Sequence, residues 1–72
     1  MKYAVIYAKT STGYSAHVPD LPGCIATGQT LEQTEQRMRE AIEMHLEGMR
    51  EDGDPIPMPT TVVREISVLA GD

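Results

Sequence analysis

One cysteine, no tryptophan, no phenylalanine and only six lysines and arginines occur in this chain of 72 residues. A single thiol excludes an internal disulfide. With Cys24, His17 and His45 as the only soft ligands, a four-ligand structural zinc site is excluded as well, and a reducing compartment fits best. The shortage of basic residues is equally restrictive. Eleven acids against six bases leave a formal charge of −5 with no basic patch segregated along the chain. Such a balance opposes contact with phosphate backbones, so no direct nucleic-acid binding is expected, and it suits a basic protein partner. No stretch approaches the ~20 apolar residues of a membrane span. The opening MKYAVIYAKTSTG has a short apolar run, two tyrosines and no small-residue cleavage site, unlike a signal peptide. No membrane contact is expected, and the cytoplasm is the expected location.

A chain of this length buries only about 60% of the surface its unfolded form exposes, which leaves a marginal core and favours oligomers. No repeat, linker or low-complexity run divides it, so residues 1–72 are expected to form one domain. Lys2 to Lys9 reads as a strand, with Tyr3, Val5 and Tyr7 on one face and Ala4, Ile6 and Ala8 on the other. Ser11-Thr12-Gly13 is a turn cluster in which Gly13 is expected to take positive φ, and Tyr14 to Val18 returns as the second strand. Cys24 to Thr27 predicts a short third strand ended by Gly28.

The helix signal is the strongest. Thr30-Leu31-Glu32-Gln33 fits a capping box, in which the Thr30 hydroxyl accepts from the Gln33 amide and the Gln33 side chain reaches back to Thr30. Gly53 and Pro55 predict the end about 22 residues later. At 100° per residue Leu31, Thr34, Met38, Ala41, Ile42, His45, Leu46 and Met49 share the core side, and Glu40, Glu43, Glu47 and Glu51 stripe the other. Met44 points sideways, toward a possible interface. Thr61 to Leu69 predicts a last strand. The order β-β-β-α-β is α+β, an antiparallel-rich sheet with one long helix packed on one face. Strand one is apolar on both faces and one helix covers one face, which predicts a homodimer or a higher even-numbered oligomer.

The segment HVPDLPGCIATG, residues 17–28, concentrates His17, Asp20 and Cys24 around two prolines. A cysteine nucleophile needs a base in reach and a nearby cation or helix N-terminus. His17 falls on the polar face of its strand, and no lysine or arginine lies between residues 10 and 36. A two-metal nuclease needs converging carboxylates, yet only Asp20 and Glu65 lie near predicted strands. Both enzyme readings are disfavoured, and His45, alone among apolar neighbours, reads as a core or rim histidine. The loop reads more simply as a stiff corner. Pro19 and Pro22 fix two φ angles, Gly23 supplies backbone freedom and Asp20 accepts amide hydrogen bonds. Asp20 and Leu21 are then expected to project as a rigid knob.

An aromatic strand at Tyr14, the run Val18 to Cys24, the helix start at Gly28 and Thr30, and the exit Asp52-Gly53 with Ile56-Pro57-Met58-Pro59 together resemble the HicB-type antitoxin family. The resemblance covers nearly the whole chain. It implies a partial RNase H-like fold without nuclease activity, and neutralisation of a small basic toxin, HicA, an mRNA-cleaving ribonuclease, by covering its active site. Many members carry a C-terminal DNA-binding segment; this sequence ends at Asp72, and operator binding is not expected. Asp20, Leu21, Glu40, Glu43 and Glu47 are the candidate toxin contacts. Tyr14, Pro19, Pro22, Gly23, Cys24, Gly28, Thr30, Gly53, Pro57 and Pro59 are read as structural motif positions. No catalytic residue, metal or cofactor is expected. The alternative is an orphan oligomeric scaffold domain without a toxin.

Overall fold

A computed structural model describes residues 1–69. Three short strands, β1 (Ile6–Lys9), β2 (Tyr14–His17) and β3 (Ile25–Gly28), precede one helix, α1 (Leu31–Asp52). The sheet is antiparallel in the order β1-β2-β3. Its register places Tyr7, Ala16 and Ala26 in one cross-strand row and Ile6, His17 and Ile25 in the next. Because strand side chains alternate, these rows lie on opposite faces. The first row faces α1 and the second faces away.

The helix ends where its local chemistry dictates. The Thr30 hydroxyl accepts from the Gln33 amide at 3.0 Å, and Gly53 adopts the left-handed conformation at φ 73° and closes the C-terminus. Gln33 reaches back one residue further than the capping box predicts, since its side-chain oxygen accepts from the Gln29 amide at 2.7 Å. Thr34 and Met38 are buried, and Ala41, Ile42, Leu46 and Met49 pack around them. Leu31, expected on the core side, is exposed at the start of the helix. No described helix is long and apolar enough to cross a membrane.

Two glycines hold the layers together by leaving room. Gly13 does not take the positive φ expected of it. A Cβ there would collide with the carbonyl oxygen of Gly28, so contact between neighbouring strands, and not turn conformation, demands glycine. The turn is closed instead by Thr10, whose hydroxyl accepts from the Gly13 amide at 3.0 Å. Gly28 lies under the first turn of α1, where a Cβ would meet Thr34 Oγ1 at 2.5 Å.

The α+β class of the single small domain stands, but the fourth strand does not form within the chain. Residues 61–69 carry no strand, and 62–69 are exposed throughout. Their backbone lacks a neighbouring edge, and a strand requires a partner for its N–H and C=O groups.

Candidate protein-interaction surface

The segment 17–28 is a corner, as its prolines and glycine dictate. The Leu21 amide donates to the Val18 carbonyl at 3.0 Å, and the Cys24 amide donates to the Leu21 carbonyl at 3.0 Å. Gly23 takes φ 84° with open space around its Cα, so its requirement is conformational and not steric. Leu21 is not a projecting knob. It is 0% exposed and centres a core of Ala16, Val18, Cys24 and Met38, because the two tight turns around it rotate its side chain inward. Asp20 is not free for a partner either. Its carboxylate accepts four hydrogen bonds, from the amides of Thr60 and Thr61 at 3.1 Å each and from their hydroxyls at 3.0 and 2.9 Å.

Those donors, the Thr61 amide foremost, hold the Asp20 carboxyl below its usual range against an opposing effect of burial. A depressed acid contributes stability above its unfolded value of about 3.9 and loses it as pH falls through the lower folded value. The clasp therefore survives at neutral pH and opens only in acid.

Cys24 is buried on the helix side of the sheet, whereas His17, paired with Ile25, lies on the opposite face. Burial pushes the Cys24 thiol above its usual range. Native protein is expected to react with iodoacetamide at pH 6 at least about 10-fold more slowly than urea-unfolded protein. A native rate well above that of the unfolded chain would restore the cysteine as an activated nucleophile. Among the described residues no group of three or more His, Cys, Asp or Glu is arranged to hold a metal.

The outward side of α1 presents a different chemistry. Glu40, Glu43, Glu47 and Glu51 are all exposed and, at 100° per residue, share one stripe over about 16 Å of helix. Gln36 donates to Glu40 at 3.1 Å, which orders the upper end. Met44 stands 73% exposed beside these carboxylates. It borders a groove of about 320 Å³ with His45 and Ala41 from the helix, Gly23 and Cys24 from the corner and Ile25 from β3. Ile25 is 68% exposed. An apolar centre with a charged rim is the arrangement of a protein interface. The stripe and the sideways Met44 follow from helical periodicity. Ile25 escaped notice because only the pairing of β3 with β2 shows that it faces away from the core next to α1.

A three-stranded antiparallel sheet under one helix, with an acidic helix face and an apolar groove beside it, defines a small α+β module suited to holding another protein. A model described as HicB_like antitoxin of bacterial toxin-antitoxin system matches residues 3–68. The chain belongs to this HicB-like antitoxin family. It is 37% identical over 67 residues to a 14.9 kDa protein from the rep-hol intergenic region of Haemophilus phage HP1, covering 93% of this chain and 50% of that protein. It is 35% identical over 68 residues to a UPF0150 protein of Synechocystis sp., covering 93% and 86% respectively. Among solved structures, a chain of the HicA3 and HicB3 toxin-antitoxin complex superposes with a TM-score of 0.72 at 30% identity, over 83% of this chain and 70% of that one. The chain thus spans half the length of the phage relative.

Proposed function

We propose that this protein is an antitoxin that binds a small basic HicA-type toxin through the outer face of α1 and blocks it without chemistry of its own. The observation that carries the reading is the exposed stripe Glu40, Glu43 and Glu47 flanking the exposed Met44. Carboxylates on a chain of formal charge −5 steer a basic partner and set the encounter rate. Met44 and Ile25 supply the apolar contact that holds it. The solved HicA3 and HicB3 complex, involving a related antitoxin, supports a toxin of that class.

Titration calorimetry with a purified HicA-type toxin, at ~150 mM and at 1 M salt, tests the reading. Wild-type protein is expected to bind, more weakly at high salt. Replacing Glu40, Glu43 and Glu47 together by lysine is expected to weaken binding by at least about 100-fold with an unchanged helical circular dichroism spectrum. Undiminished binding by that variant would remove the helix face from the interface, and the absence of binding by wild type would favour the orphan scaffold reading.

A further inference from the structure

The helix packs chiefly over β3 and β2, so the corner of the sheet where β1 turns into β2 has no apolar layer above it. The cross-strand row at that corner is Lys9, Tyr14 and Gly28. Alternation puts this row on the helix side, as it does Tyr7 two residues earlier. A groove of about 430 Å³ opens there between the β1–β2 turn and α1, with Thr10, Thr12, Tyr14, Gln29 and Arg37 on its walls. That size is within the range of about 300–1,000 Å³ usual for small-molecule sites.

Its side chains are donors. Eleven aspartates and glutamates occur in the chain, yet none of the described ones lines this groove. Arg37 is held in place, because its Nη1 donates to the Thr27 carbonyl at 3.0 Å. The guanidinium carries five N–H groups in a rigid fork, so most of them remain to be offered. The Thr10 hydroxyl accepts from the amides of Thr12 at 3.3 Å and Gly13 at 3.0 Å. Both lone pairs of that oxygen are then engaged, which leaves its own O–H as the group to give. Thr12 and Tyr14 add two further hydroxyls. The Lys9 ammonium stands 5.2 Å from the centroid of the Tyr14 ring, beside the groove wall.

From this donor set we propose that the groove binds the phosphomonoester of a small molecule, a nucleoside monophosphate or sugar phosphate in class. The phosphate rests on Arg37 and Thr10, and its carrier lies along Thr12 and Tyr14. A carboxylate has only two oxygens for a fork, three hydroxyls and an ammonium. A phosphomonoester has three terminal oxygens and a charge of about −1.5 to −2, which matches the donors in number and in sign. The formal charge of −5 opposes approach from a distance, but at physiological ionic strength that field is screened beyond about 8 Å. Inside that range Arg37 and Lys9 are the charges on and beside the groove.

Nuclear magnetic resonance of the full chain, titrated at constant ionic strength with inorganic phosphate, AMP and adenosine, tests the site. Phosphate and AMP at up to ~10 mM are expected to shift the amides of Thr10, Thr12, Gly28 and Gln29 and the Arg37 Nε–H. AMP is expected to bind at least about 10-fold more tightly than adenosine, which lacks the phosphate. Arg37→Gln is expected to weaken AMP at least about 10-fold with an unchanged helical circular dichroism spectrum. Thr12→Val, in an exposed turn away from α1, is expected to weaken it at least about 3-fold and decides the matter if the first variant unfolds. Absence of shifts, shifts scattered over the surface, adenosine bound as tightly as AMP, or variants that bind AMP like wild type would overturn the proposal. A 5′-phosphorylated dinucleotide bound at least about 10-fold more tightly than AMP would overturn the small-molecule class and assign the groove to a nucleic-acid end. No toxin enters the experiment, so its result is separate from the antitoxin reading.

Discussion

Leu21→Ala is expected to lower the unfolding free energy by about 2–5 kcal/mol, the usual range for emptying a fully buried leucine site. A domain of this length has about 4–11 kcal/mol in total by per-residue scaling, so the variant would lose a large part of its stability. The reason lies in the position of Leu21 among its neighbours. It is 0% exposed, and the corner that carries it is tied back to Val18 and Cys24 by main-chain hydrogen bonds. The backbone cannot collapse to fill the space, and the cavity term adds to the lost transfer energy. Urea unfolding followed by circular dichroism at fixed protein concentration measures the change, since any dimer makes stability concentration-dependent. A loss below about 0.5 kcal/mol would mean that Leu21 is a surface residue after all, as the sequence suggested.

Gly28→Ala is expected to destabilise by about 1–3 kcal/mol, the range for inserting atoms into a packed site. The new Cβ would stand 2.5 Å from Thr34 Oγ1 and 2.8 Å from the Thr34 amide nitrogen. The main chain of α1 would therefore have to move off β3, since no rotamer change relieves a contact with backbone. The hydroxyl concerned already donates to the Thr30 carbonyl at 2.7 Å, so its own movement would disturb the first turn. Gly48→Ala provides the internal contrast. That glycine lies within α1 with nothing within 4 Å of a Cβ, and alanine there is expected to stabilise by up to about 1 kcal/mol through helix propensity. Opposite signs for the two glycines, read from the same unfolding curves, would confirm that close approach and not flexibility explains Gly28. Two equal small effects would refute it.

Much of the helix was legible because its signals are local. Thr30, Gln33 and Gly53 act within one turn of the chain, and the burial of Met38 opposite the exposed Glu40, Glu43 and Glu47 follows from a 100° repeat. The corner was legible in conformation but not in direction. Pro19, Pro22 and Gly23 announced a tight turn, while the inward rotation of Leu21 depended on packing against β2 and α1. Asp20 was read as a turn acceptor, and its actual donors, Thr60 and Thr61, lie forty residues further along. No local pattern marks such a pair.

The amino-acid sequence by itself therefore determined the three strands and the helix of this protein, its acidic helix face and its family, because capping, periodicity and ordered turn motifs depend on near neighbours. Tertiary structure alone decided the rest. It buried Leu21, gave Asp20 its clasp and made Gly13 and Gly28 contact sites, and it left the strand-like residues 62–69 without a partner in their own chain. Each of these depends on which distant surfaces meet, and a strand, unlike a helix, satisfies its backbone only through such a meeting.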